Sequence, residues 1–486
     1  MPIFTETLRS VNMNAATVLD FFKEITRIPR ESGHEGPMTA YLQDFAKARS
    51  LECRTDRTGN VVIVKEAAPG KENVPILVLQ AHQDMVCEKH AHFDFDFLTQ
   101  PIPYEIEDGW MVAKNTTLGA DDGIGIAACL ALLDSNLPTG KLECLFTISE
   151  ETGMDGAFAL EPGFFDGKVL INLDSEDEGQ LFVGCAGGVN TMATFHYTCE
   201  PVEKNKKLLK IRLFNAVGGH SGDDINKERG NMVQQLARFL YTQRGSAMQL
   251  VSIHGGGKHN AIAREAEAIV AVPDPDAFTQ AFQQFGEALR KEFATSDPDI
   301  RYSISDAKAC EQAIDADSAR RLVAALVAVH HGVLAMSQDI PGLVETSNNL
   351  ASVKMTAPGV IEVCTSQRSS SESAKQFIAD KIEACFVLAG ADVRRSDPYP
   401  GWKPDMSSKI LKDTVESYRR LFGKDPEVKA IHAGLECGLF LEKFPDLDMI
   451  SFGPTLRGVH APGEKLELAS NEKFTALLAD VVTHFS

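Results

Sequence analysis

The feature that most constrains what this chain can fold into is a set of short apolar runs, each cut off by a histidine or a carboxylate: LVLQAHQD at 77–84, LFTISEE at 145–151 and VLINLDSE at 169–176. Apolar runs of this length fit strands buried on both faces, as in the parallel sheet of an α/β protein. Polar side chains gathered where such strands end fit the usual site of an open α/β sheet, outside the carboxyl ends of its strands. Two further strings, TTLGADDGIG and SFGPTLRGVHAPGE, carry Asp121 and His460 in a similar setting. His82, Asp121, Glu151, Asp174 and His460 are therefore the candidate metal ligands, in the pattern of a two-metal hydrolase.

The neighbours of these residues sharpen the chemistry. Asp84 stands two residues after His82, on the same side of an extended chain, where it can accept the second ring N–H and fix the tautomer. Asp121 and Asp122 precede an apolar stretch of helical length, Ile124 to Leu133; one carboxylate would cap that helix, and the other is free to bridge two cations. Glu150 and Glu151 would repel each other unless a cation or a proton separates their roles, one ligating while the other takes a proton from water. Glu176, Asp177 and Glu178, after Asp174, read as a solvated acidic loop. His432 in IHAGLECG competes with His460 as the last ligand, and the residues alone leave both open. Nitrogen and oxygen donors without thiolate suit zinc, cobalt or manganese.

From about 187 to 400 the pattern changes. LLKIRLFNAVGG, AIVAVPD and VIEVCTS alternate as one-faced strands, and NMVQQLARFLYTQ has helical periodicity, so this stretch reads as a domain inserted between residues 1–186 and 401–486. CAGG and DPYPGW, both turn-rich, mark its ends. Within it His220 lies in GGHSG, Asn260 in GGGKHNAIARE and Arg368 in CTSQRSSS.

Composition excludes several classes. The 486 residues, 44% hydrophobic and 24% charged, suffice for two domains, and no run of eighteen apolar residues is present, which argues against a membrane span. MPIFTETLRSVNMNAATVLDFF lacks the basic start and apolar core of a signal peptide, and the ten cysteines show no disulfide spacing, so a cytoplasmic location is expected. A net charge of −20 opposes nucleic-acid binding, and no P-loop or Rossmann fingerprint occurs.

Taken in order, IPRESGHEG, AHQDMV, TTLGADDGIG, EETGMDGAF, INLDSE, CAGG, GGHSG, VETSNN, YPGW, HAGLECG and HAPGE resemble the aminoacylhistidine dipeptidases, or cytosol nonspecific dipeptidases, of the aminoacylase and carnosinase-like clan. The resemblance covers nearly the whole chain. It implies an α/β catalytic domain with a mostly parallel sheet and flanking helices, and an inserted α+β lid or dimerisation-like domain. It implies two divalent ions, zinc foremost, with cobalt or manganese as substitutes. His82, Glu151, Asp174 and His460 would divide between the two positions, Asp121 would bridge them, and His460 is favoured over His432. Glu150 would be the general base and Asp84 would orient His82, with a cis peptide between Asp121 and Asp122. In the insert, His220 would stabilise the oxyanion, while Asn260 and Arg368 would bind the substrate carboxylate, helped by backbone at Gly434. The expected substrates are dipeptides, including Xaa-His. An N-acyl amino acid deacylase or a non-catalytic binding module are the alternatives, and monomer or homodimer is left open.

Overall fold

The computed structural model describes residues 13–432 and 434–486, so most of the amino-terminal stretch read above lies outside the described residues. Two compact units divide the chain: one comprises the segments up to Gly184, Pro404–Ala430 and Leu435–Ser486, the other Cys185–Lys403 and Ile431–Gly434. The short return at 431–434 to the second unit was not foreseen, because it rests on long-range bonds such as Ala186 N–H to Ile431 O at 3.1 Å.

An eight-stranded sheet organises the first unit, in the order Glu52–Thr55, Val61–Lys65, Leu142–Thr147, Leu77–His82, Val169–Asn172, Asp448–Ser451, Gln180–Cys185, Glu427–Ile431. The four strands from Leu142–Thr147 to Asp448–Ser451 in that order run parallel to one another. Leu77–His82 and Leu142–Thr147 are buried along their whole length, as strands covered on both faces must be. The helix Ala120–Asp134 is buried at every position through Leu133, which explains why its sequence is apolar all round. Outer helices are one-faced instead: Ala15–Ile25, capped by Asn14, buries Val18, Phe21, Phe22 and Ile25.

The second unit is built on a nine-stranded sheet whose neighbouring strands run antiparallel. Lys207–Phe214 and Ala266–Val272 bury alternate residues, the pattern of a sheet with one face on the core. Met232–Thr242, Pro275–Glu292, Ala316–Ala328 and Glu372–Leu388 supply the helices. A core of its own runs from Ala193 to Ala391, with Phe239 and Phe282 packed edge to face at 4.9 Å. The fold is thus a mixed, mostly parallel sheet with helices, joined in sequence to a separate antiparallel α+β unit. Among the described residues no helix is long and apolar enough to cross a membrane.

Candidate active site

The carboxyl ends of the parallel strands gather the polar residues. His82 closes its strand and is fully buried, and Asp84 Oδ1 faces its Nδ1 at 3.3 Å. The Asp84 carboxylate also accepts from the Glu150 N–H at 3.0 Å, the Glu151 N–H at 3.2 Å and the Ser32 hydroxyl at 2.7 Å. With Nδ1 directed at a carboxylate, His82 presents Nε2 on its other side, 2.9 Å from Asp121 Oδ1 and 3.7 Å from Asp174 Oδ1. The second oxygen of Asp121 lies 3.1 Å from His460 Nε2, which is itself 3.0 Å from Glu151 Oε1. One carboxylate therefore stands between two imidazoles.

Local backbone explains how these side chains reach one place. Gly119, with φ of 68°, turns the chain into Ala120–Asp134, and the bond between Asp121 and Asp122 is cis. Ser149, with φ of 50°, turns the chain sharply after its strand, and its N–H and hydroxyl are both held by Glu35 Oε1 at 3.0 Å. Glu150 and Glu151 then open a single helical turn, Glu150–Gly153. His460 takes φ of 63° in a loop.

Charge in the cluster is strongly perturbed. Burial works against a charged His82, yet the Asp174 charge and hydrogen bonds to Asp121, Asp174 and Asp84 raise it well above its ordinary value. Hydrogen bonds to Asp121 and Glu151 push His460 up to about 11. Burial would raise Asp121, but the bonds from His460 and His82 bring it far below the usual carboxylate range. Asp174 goes up through burial and the Asp121 charge. Burial also raises Glu150 well above its ordinary range; His82 pulls it back, while Glu436, Glu151 and Asp121 add to the rise.

These directions express one demand: three carboxylates and two imidazoles converge, and among the described residues no lysine or arginine is paired with Asp121, Glu151 or Asp174. Positive charge is needed between them, and divalent cations supply it with the preferred donor types. His82, Asp121 and Asp174 form one group, and Asp121, Glu151 and His460 another, each offering donor atoms within 4.8 Å of one another. Asp121 belongs to both. A further group of this size joins His82 to Glu150 and Glu151. The donor set fits two metal ions.

Below the cluster runs a row of polar side chains that sequence reading missed. Glu436 Oε2 accepts from Gln80 at 2.7 Å and from the Thr147 hydroxyl at 2.9 Å, Gln80 accepts from Asn172 at 2.6 Å, and Asn172 accepts from the Ser451 hydroxyl at 2.5 Å. Burial raises the Glu436 carboxyl to about 7, so it can remain protonated near neutral pH. Its only sequence signal was an acidic residue inside the apolar LECGLF.

His432 has no part in this cluster. It lies in the second unit, buried, with Nε2 2.7 Å from the Ser347 hydroxyl. That unit brings His220, Asn260, Arg368 and Gly434 into one neighbourhood. Ser221 N–H donates to Asn260 O at 2.8 Å, and His220 bridges to Ala261. Arg368, on the strand Val360–Ser369 and 6% exposed, donates to the Tyr399 hydroxyl at 3.1 Å, while its Nε has no partner. A Cβ at Gly434 would lie 3.0 Å from the Tyr399 ring, so Tyr399 is a member that sequence reading passed over. His220 Nδ1 lies 3.2 Å from the Gly222 amide nitrogen and 3.4 Å from an oxygen of the Asp223 carboxylate. Burial, then the Arg368 and His220 charges, lower His259, and burial with the Arg368 charge lowers His432 to about 3.

Peptidase family M20/M25/M40 matches residues 78–484. The cytosol non-specific dipeptidase of Escherichia coli (strain K12) is 38% identical over 467 residues, 95% of this chain and 96% of that relative. The crystal structure of aminoacylhistidine dipeptidase from Vibrio alginolyticus superposes with a TM-score of 0.91 and 38% identity, covering 98% of both chains. Aminopeptidase PepT from Bacillus cereus, at 16% identity and a TM-score of 0.61 over 97% of this chain and 98% of that one, shares the fold. A family match that spans five strands of the parallel-centred sheet and every candidate ligand, with full-length likeness to two dipeptidases, leaves one conclusion: the chain belongs to peptidase family M20/M25/M40.

Proposed function

We propose that this protein is a metal-dependent dipeptidase that cleaves dipeptides with free termini, Ala-His and β-alanyl-His among them, in the cytoplasm. The observation that carries the reading is the Asp121 carboxylate shared between two three-residue donor groups. His82, Asp121 and Asp174 would hold one divalent cation, and Asp121, Glu151 and His460 the other, with zinc the preferred ion and cobalt or manganese as substitutes. When bound, such a pair acidifies a water and polarises a carbonyl.

The remaining roles fall to the chain itself. Glu150, half-buried and outside both Asp121-sharing groups, takes the proton of the attacking water and returns it to the leaving amine. Asp84 fixes His82 through Nδ1 and, by holding the Glu150 and Glu151 amides, sets both carboxylates relative to that imidazole. In the second unit, His220 is the donor to the tetrahedral oxygen. Arg368 and Asn260 bind the substrate carboxylate, for which the unpaired guanidinium edge is suited, and Gly434 adds backbone contacts. Fixing that carboxylate would confine cleavage to dipeptides and would give residues 187–400 the character of a lid.

The test is hydrolysis of Ala-His, β-alanyl-His, a tripeptide and an N-acetyl amino acid by protein stripped with chelator and reloaded with zinc, cobalt or manganese. Metal-restored cleavage of the dipeptides alone is expected. Cleavage of only the acetylated compound would reassign the protein as a deacylase, and no cleavage after full loading would leave a binding module. Light scattering on the same samples decides between monomer and homodimer.

A further inference from the structure

Two buried ionic groups of the first unit bind backbone alone. Arg30, 2% exposed, donates to the carbonyl oxygens of Gln83 at 3.1 Å, Asp84 at 2.5 Å and Gly119. Glu464, also 2% exposed, accepts from the N–H groups of Leu118 at 2.8 Å, Gly119 at 3.2 Å and Ala120 at 2.7 Å. Both therefore grip Gly119, the cation at its carbonyl and the anion at its amide. There is no room for anything else at that point: a Cβ on Gly119 would fall 2.6 Å from the Arg30 guanidinium and 2.7 Å from the Met85 sulfur.

The segments tied together in this way are those that carry the candidate ligands. Gln83 and Asp84 follow His82, Ala120 precedes Asp121, and Glu464 lies four residues after His460 in a loop pinned by Gly463 N–H to Ala113 O at 2.9 Å. These are loop residues or the first residue of a helix, whose amides and carbonyls need partners when buried. Neutral groups could satisfy them. Burying a full charge on each side carries a desolvation cost, and is favoured only where rigid geometry repays it. Metal ligands are such a case, because contacts behind the ligating residues set their orientation.

We propose that Arg30 and Glu464 are positioning residues that fix the spacing of His82, Asp121 and His460 by clamping the Gly119 peptide from both sides. The proposal rests on the two-metal reading above. Its expected signature is a loss of metal affinity that exceeds any loss of fold stability.

The experiment is calorimetric titration of zinc into chelator-stripped full-length protein, for wild type, Glu464→Gln and Glu143→Gln, with thermal unfolding of each metal-free protein. Glu143 is the control: it is equally buried and also accepts two backbone N–H bonds, from Asp166 at 2.8 Å and Gly167 at 2.9 Å, but it lies near the amino end of its strand. E464Q should weaken zinc binding about 10- to 100-fold and lower kcat with KM nearly unchanged, while E143Q lowers the melting temperature and keeps wild-type zinc affinity. Wild-type zinc affinity in E464Q, or an equal loss in E143Q, overturns the proposal. If E464Q does not fold, Glu464→Asp and Arg30→Lys decide by the same affinity criterion. Wild-type protein that binds no zinc, cobalt or manganese overturns the metal reading itself, and the clamp with it.

Discussion

At the scale of single residues the candidate site turns on which atom holds which proton. Glu150→Gln should keep both metals, measured by elemental analysis, and lose about 10²–10⁴-fold in kcat, the usual range for a general acid–base group. Full turnover in metal-loaded E150Q would rule out the role. Asp84→Asn removes the carboxylate that faces His82 Nδ1 and serves the Glu150 and Glu151 amides. Metal affinity should fall about 10- to 100-fold in that variant, read by calorimetry. His432 behaves differently, since burial and the Arg368 charge hold it down to about 3. Its unfolded form binds a proton near the ordinary value of 6.5, so the stability due to the neutral buried ring is complete above about pH 6.5 and drains away as pH falls toward 3. Between pH 6.5 and 4.5 wild type should lose roughly 2–3 kcal/mol that His432→Gln does not lose, measured by urea unfolding at both pH values. Equal pH slopes in the two proteins would refute this.

Elements differed in how plainly the sequence announced them. Strands buried on both faces were legible because apolar runs such as VLIN and LECLFT stand out, and the ends of those runs pointed at His82, Glu151 and Asp174. Asp121 was legible as a carboxylate in excess of what a helix cap needs. The choice between His432 and His460 was not, since the residues around each leave both open and only packing separates them. Arg30, Glu436 and Glu464 were equally hidden: their partners are backbone groups or amide side chains far away in sequence, such as Gly119 for Glu464 and Gln80 for Glu436. Close approach of loops is also invisible in sequence. A Cβ at Gly453, after the strand Asp448–Ser451, would sit 1.8 Å from the Ser175 carbonyl oxygen. Gly453→Ala must push that loop away from the one following Asp174, and should cost on the order of 3 kcal/mol in urea unfolding with an unchanged slope. A wild-type midpoint would show that the two loops move apart freely.

For the molecule as a whole, the unequal continuity of the two units matters. Among the described residues, the second unit's main buried cluster runs from Ala193 to Ala391. A fragment spanning Cys185–Lys403 should therefore fold alone and melt cooperatively by circular dichroism, whereas residues 1–184 alone should not. The first unit depends on Asp448–Ser451, which lies between Val169–Asn172 and Gln180–Cys185 in its sheet, an interior place that earlier strands cannot fill. That placement has a consequence for biosynthesis. Domains tend to fold in the order they leave the ribosome, and here the inserted stretch is complete while the sheet begun before it still has a gap. His460 emerges later than the strand that closes this gap. Under the proposed ligand set, metal capture waits for His460, and a nascent chain stalled between Lys403 and that residue would carry the inserted stretch without a complete metal site.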